Sequence, residues 1–180
     1  MKEIEIKAKL RDKKSVMEKL QSLGCKFEPA VTQQDVVYVE NIGSLETFLA
    51  NRAFLRLRVK NGKKVLFTVK KRTKINLEAI EHEVEVSSKD EMEKALLLMG
   101  YKEAVCVNKT RIVTHYKGDE ICIDDVDGLG TFIEMERLVQ DGDAEKIQEG
   151  LFKFFEKIGI SRQDRVLFGY DILMLKKTEK

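Results

Sequence analysis

The strand-like runs of this chain alternate with a period of two, and their polar sides carry almost nothing but ionisable residues. Residues 2–10 set the pattern. Ile4, Ile6, Ala8 and Leu10 fall on one side and Glu3, Glu5, Lys7 and Lys9 on the other, which is the period of a strand. Arg56 and Arg58 then share a face, Lys70 sits at the end of the next run, and Glu81, Glu83 and Glu85 share another. Lys109 pairs in the same way with Arg111 and Glu134 with Glu136, while Asp124 lies near the end of its run. A strand with one wet face normally shows mixed polar residues there. Like charges two apart on one face repel, and they weaken a sheet unless opposite charge lies between them. Acidic rows facing basic rows, with a dication and a polyanion between, would remove that repulsion. Carboxylates are hard oxygen ligands suited to Mg2+ or Mn2+. Arginine offers a planar fork to phosphate oxygens and lysine a compact positive charge. The pattern therefore predicts charged strand faces turned into a shared cavity.

Length and composition narrow the alternatives. The 180 residues suit a single domain, 1–180, with a proper core. Charged residues make up 36% of the chain, above the usual quarter, yet Lys plus Arg (33) nearly balance Asp plus Glu (31). A nucleic-acid binder would show a lopsided basic field, so no nucleic-acid partner is expected. No apolar run approaches the ~20 residues that span a bilayer, and the N-terminus lacks the apolar stretch of a secretion signal. Cys25, Cys106 and Cys122 have no metal-ligand spacing and read as reduced thiols. Together these features predict a cytoplasmic protein without membrane association.

The order of elements is α+β. A strand over 2–10 leads to a helix near 13–23, capped by Asp12 and stopped by Gly24, with Val16, Met17, Leu20 and Leu23 as its apolar stripe. Strands follow near 31–40, 53–60, 63–72 and 79–88, then a helix near 89–99 ending at Gly100. Three more strands fall near 103–116, 119–127 and 131–139, and two helices near 143–158 and 162–175 close the chain. Leu151, Phe152, Phe154, Phe155 and Ile158 form an apolar helix stripe. The β-α unit beginning Glu3-Ile-Glu5-Ile is echoed by Glu83-Val-Glu85-Val, which suggests a pseudo-two-fold sheet. Gly43 to Asn51, with Leu45, Phe48 and Leu49, reads as a loop and a candidate cover for a cavity mouth or a homodimer contact.

With these residues on the page, the chain resembles the CYTH superfamily, the triphosphate tunnel metalloenzymes. Glu3-x-Glu5-x-Lys7 matches its opening signature. Arg56-x-Arg58, Lys70, Glu83-x-Glu85, Lys109-x-Arg111, Asp124 and Gly128-Leu-Gly130-x-Phe132-x-Glu134-x-Glu136 follow in the family's order. The resemblance implies an eight-stranded antiparallel barrel, open as a tunnel with a charged lumen and with helices packed outside. It is strongest to the class IV adenylyl cyclase branch, lyases that convert ATP to cyclic AMP and pyrophosphate. The alternative within the family is a triphosphatase acting on inorganic, thiamine or nucleoside triphosphate. Carried over position by position, Glu3, Glu5, Glu134 and Glu136 become metal ligands for Mg2+ or Mn2+, with Glu83 and Glu85 as second choices. Arg56, Arg58, Lys70, Lys109 and Arg111 become triphosphate contacts, and Asp124 orients one of them or helps hold a metal. Lys7 is the candidate catalytic base if burial and positive neighbours lower its pKa, and otherwise a phosphate contact. One departure stands out: relatives often carry an arginine just before the second Glu-x-Glu, where this chain has Glu81-His82. A non-catalytic polyphosphate-binding module would need the bases but not the carboxylates, and the retained glutamates argue against it.

Overall fold

A computed structural model describes residues 2–51 and 53–178. Its strands are β1 (Lys2–Lys9), β2 (Val31–Val39), β3 (Ala53–Lys60), β4 (Lys64–Arg72), β5 (Glu78–Val86), β6 (Lys102–Tyr116), β7 (Asp119–Val126), β8 (Gly130–Val139) and a short β9 (Arg165–Val166). The helices are α1 (Lys13–Ser22), α2 (Leu45–Ala50), α3 (Lys89–Leu98), α4 (Ala144–Lys157) and α5 (Tyr170–Thr178). The strands hydrogen-bond in the order β5-β4-β3-β2-β6-β7-β8-β1, and β1 returns to β5, closing an eight-stranded antiparallel barrel. Closure leaves no long unpaired edge.

The seam between β1 and β5 is short. Lys2, Glu3 and Ile4 pair with Ile80, Ala79 and Glu78, after which the strands part and β9 pairs with Lys7 and Ala8. Buried Gln148 of α4 staples the parting strands, donating to the Glu5 carbonyl at 3.0 Å and the Asn76 carbonyl at 2.7 Å.

The barrel turns its apolar side outward. Ile6, Ala8, Ile121, Ile123, Ile133 and Met135 lie beneath α1 and α4, packed on Leu20, Leu151, Phe152, Phe155 and Ile158. Tyr38, Leu55, Leu57 and Val65 form a second core beneath Leu96 of α3. Because strand side chains alternate, fixing these residues under helices forces their neighbours into the lumen. The hydrophobic core thus lies between barrel and helices, and the charged residues face one another inside.

The local signals worked where they were strong. Asp12 accepts from the Ser15 amide at 2.9 Å and caps α1, and Gly24 ends it at a φ of 87° that favours glycine. Ser88 and Gly100 serve α3 in the same way. Leu23 falls outside the buried stripe and is exposed. Two segments differ from expectation. Residues 45–50 form a helix capped by Ser44 where a loop was expected. Residues 162–175 are not one helix: a single 3-10 turn at Arg162–Asp164, β9 and a break at residues 167–169 precede α5. Arg162 is held by Glu149 and Glu156, and β9 fills the open seam beside β1, so pairing overrides helical propensity there.

Helices α2 and α5 cover one end of the barrel. Phe48, Phe168, Ile172 and Leu175 pack on the inward-facing Val37, Val39, Phe54 and Val105. Tyr170 packs on Val107, Val126 and Phe132.

Candidate functional site

Inside the barrel lies a cavity of about 540 Å³, bounded by charged strand faces and by residues 167–172 ahead of and within α5. Its size is ordinary for a small-molecule site, and its lining is not. Glu3, Glu5, Lys7, Arg56, Arg58, Lys70, Glu83, Lys109, Arg111, Glu134 and Glu136 all line it, as the sequence pattern predicted. Asp124 is fully buried directly behind Lys109 and Arg111. Glu85 is the exception. It lies outside the cavity and pairs with Lys64 at 3.0 Å on an exposed strand end, because β5 runs on past the point where β1 begins.

Register places bases beside acids across neighbouring strands. Arg58 lies opposite Asp35 and grips it through two hydrogen bonds, 2.6 and 2.7 Å. Arg111 lies opposite Asp124 and grips it at 2.7 and 2.5 Å, while Lys109 reaches the same carboxylate at 3.3 Å. Arg111 also contacts Glu134. On the β4–β5 side, Lys70 contacts Glu81 and lies 3.3 Å from Glu3, and Arg56 bonds Thr68 at 3.2 Å and Glu83 at 3.4 Å. Burial tends to raise the Asp35 pKa, but the Arg58 charge outweighs it and holds this carboxyl below its usual range.

The opposite wall is acidic. Glu5 lies directly across from Glu136, which in turn faces Glu120 on β7. Burial first, and the Glu134 charge second, push the Glu5 pKa up to about 7. Burial, then Glu3, Glu120 and Glu5, push Glu136 up to about 8. Glu134 goes the other way. Burial opposes ionisation, but Lys7, Arg111 and Lys109 hold it well below the ordinary range.

Lys7 does not meet the condition for a base. Its ammonium lies 3.0 Å from Glu5 and 2.9 Å from Glu134 and donates to the Phe168 carbonyl at 3.3 Å. Burial would lower its pKa, but the two glutamates win and raise it. Two cavity lysines are pushed down instead: Lys109, to about 8, by burial and then by Arg111, and Lys60, by burial and then by Arg58.

The donor set fits a divalent cation of the magnesium type. Glu3, Glu5 and Glu136 offer hard oxygens that nearby protein cations neutralise only in part: Lys7 lies 3.0 Å from Glu5 Oε1 and Lys70 3.3 Å from Glu3, yet the pKa values of Glu5 and Glu136 stay raised. Among the described residues no three His, Cys, Asp or Glu side chains converge into a complete metal cage. Magnesium does not require one, since it usually takes one or two carboxylates and completes its shell with waters and substrate phosphates.

Sequence reasoning missed Asp35, Glu120 and Tyr170 as cavity residues. Asp35 is a lone acid in an otherwise uncharged strand, and only its register with Arg58 marks it. Glu120 is disclosed by its register with Glu136. Glu81, at the departure from the family pattern, points inward and neutralises Lys70, while His82 is exposed. His115 lies 3.6 Å from Glu120. Among the described residues no helix is long and apolar enough to cross a membrane.

Comparison with known proteins agrees with this geometry. A Methanocaldococcus jannaschii protein, provisionally named an adenylate cyclase, is 31% identical over 170 residues, covering 93% of this chain and 95% of its own. The PH1819 protein of Pyrococcus horikoshii OT3 superposes with a TM-score of 0.81 at 30% identity, over 97% of this chain and 99% of that one. A Hippeastrum protein, provisionally named an adenylyl cyclase and described as revealing a dominant triphosphatase activity, shares the fold at a TM-score of 0.62 and 17% identity, over 100% and 97% of the two chains. The CYTH domain model matches residues 1–170, and the chain therefore belongs to the CYTH family.

Proposed function

We propose that the protein is a divalent-metal-dependent enzyme acting on a nucleoside triphosphate, an adenylyl cyclase that converts ATP to cyclic AMP and pyrophosphate. The observation that carries this reading is the pair of facing walls, guanidinium and ammonium groups on one side and under-neutralised carboxylates on the other, around one cavity. A triphosphate carries roughly four negative charges near neutrality and cannot leave water without such compensation. The choice of ATP and of cyclisation rests on the named Methanocaldococcus jannaschii relative.

In this reading Arg58 and Arg111, each fixed by its aspartate, present their remaining N–H groups to the phosphate chain, and Lys109, Lys70 and Arg56 add charge around it. Glu3, Glu5, Glu134 and Glu136 would hold Mg2+ or Mn2+, with Glu134 shared among the metal, Lys7 and Arg111. A bound dication supplies charge neutralisation at the reacting phosphate and orients the nucleophile. Lys7 becomes a positioning residue that favours the ionised forms of Glu5 and Glu134 and holds the two side chains together. Most of the barrier reduction then comes from placement and preorganised charge, as in other phosphoryl transfers.

The second reading is a triphosphatase. It uses the same walls with water in place of the ribose hydroxyl, and the CYTH fold is described with that activity in the Hippeastrum protein. Incubating the protein with ATP, thiamine triphosphate and inorganic tripolyphosphate in Mg2+ or Mn2+ separates the two. Equimolar cyclic AMP and pyrophosphate are expected from ATP. Orthophosphate without cyclic AMP would move the assignment to hydrolysis, and no turnover of any triphosphate would sink both.

A further inference from the structure

Helix α5 brings into the cavity a side chain that no sequence pattern singled out. Tyr170 opens the helix and is 8% exposed. Its ring covers the Lys7 ammonium at 4.1 Å and the Lys109 ammonium at 4.9 Å, and Phe132 meets it edge-on at 5.2 Å. The next residue, Asp171, is tied to Arg72 at 2.8 Å, and that guanidinium stacks on Phe48 and Phe54 at 4.7 and 4.4 Å. The ring therefore has little freedom to turn.

Yet its hydroxyl is buried with no hydrogen-bond partner among the described residues. Buried tyrosine hydroxyls normally find one, because an unmet polar group costs stability. A packing residue would serve equally well as phenylalanine here. Arg56 Nε, on the opposite side of the lining, is likewise a buried donor without a partner among the described residues. Two unmet donors around one cavity suit a ligand rich in acceptors, which phosphate is. Burial, and then the charges of Glu134 and Asp124, hold the phenol well above its ordinary pKa, so it keeps its proton and remains a donor.

We propose that the Tyr170 hydroxyl is a substrate contact, donating a hydrogen bond to a non-bridging phosphate oxygen at the end of the cavity that α5 covers. This rests on the triphosphate reading above. It also makes the C-terminal helix part of the binding site in addition to its packing role.

The test is Tyr170→Phe, which keeps the ring and both ammonium contacts and removes only the donor. Binding of inorganic tripolyphosphate in Mg2+ is measured by calorimetry for the parent and the variant, with the melting temperature of each in the absence of ligand. The parent should bind, and the variant should bind about 10- to 100-fold more weakly, the range for a hydrogen bond to a charged group. Its ligand-free melting temperature should be unchanged or higher. Equal affinity, at any melting temperature, overturns the proposal while leaving the triphosphate reading intact. Failure of the parent protein to bind either tripolyphosphate or ATP overturns that reading, and this inference with it.

Discussion

On the β2–β3–β6 side of the cavity, Arg58 and Arg111 each hold an aspartate through two hydrogen bonds. On the β1–β8 side, Glu5 faces Glu136 in register and Glu120 lies beyond. Both walls bury charge, but they treat it differently. The basic wall neutralises its arginines before any ligand arrives, so their forks are fixed in advance. The acidic wall leaves repulsion in place, with Glu5 and Glu136 driven toward protonation near neutral pH. A rigid, self-compensated wall suits a recognition surface, and a frustrated one suits a site that a cation completes. That contrast can be broken at four points.

The largest effect is expected from Asp124→Ala. It leaves Lys109 without its hydrogen-bonded carboxylate and Arg111 with Glu134 alone, and breaking a buried pair this way costs about 3–5 kcal/mol. At this chain length that lowers the melting temperature by on the order of 10 °C. An unchanged melt would mean that the basic wall is not held by its aspartates.

Glu136→Gln should act with the opposite sign on stability. Removing one of the crowded carboxylates relieves repulsion, so metal-free protein should melt no lower than the parent, and higher at alkaline pH. Metal-dependent turnover should meanwhile fall by about 100-fold, the scale of losing one electrostatic contributor to a transition state. Full turnover in this variant would remove Glu136 from the metal site.

Next is the pH dependence of the parent without metal. Glu5 and Glu136 have folded-state pKa values raised above their unfolded values. The native state then binds more protons than the unfolded chain through the interval between those values, and stability falls as pH rises through it. Thermal melts in chelator should lose stability steadily between about pH 5 and pH 8, at up to about 1.4 kcal/mol per pH unit for each of the two carboxyls, and Mg2+ should restore part of it. A melt that rises over that interval would contradict the account of the acidic wall.

Glu85→Gln should do least. Its pair with Lys64 is largely exposed, so stability should change by about 1 kcal/mol or less and turnover not at all. A marked loss of activity would return Glu85 to the list of metal ligands.

The alternation of charge in β1, β3, β6 and β8 was enough to place Glu5, Lys7, Arg58, Arg111 and Glu134 on one side of their strands, because a strand's side-chain period is fixed by its backbone. The caps at Asp12 and Ser88 and the stops at Gly24 and Gly100 were local signals as well, readable within a few residues. Position along a face was not. Glu83 and Glu85 look alike in sequence, yet Glu83 lines the cavity while Glu85 extends past its rim, since only the pairing of β5 with β1 sets where the barrel ends. The same limit hid Asp35 and Glu120, which matter through the residue opposite them on the next strand. Lys7 shows the limit for protonation: its neighbours in three dimensions raise its pKa, and sequence spacing carries no sign for that shift.

Sequence alone thus determined which strand faces are charged, of which sign and in what order, because those properties repeat every second residue along one backbone. The tertiary structure alone decided which charges neutralise one another, which remain crowded, and that α5 seals one end with Tyr170. Those outcomes depend on register between strands and on a helix packing across the barrel mouth, contacts between residues far apart in the chain.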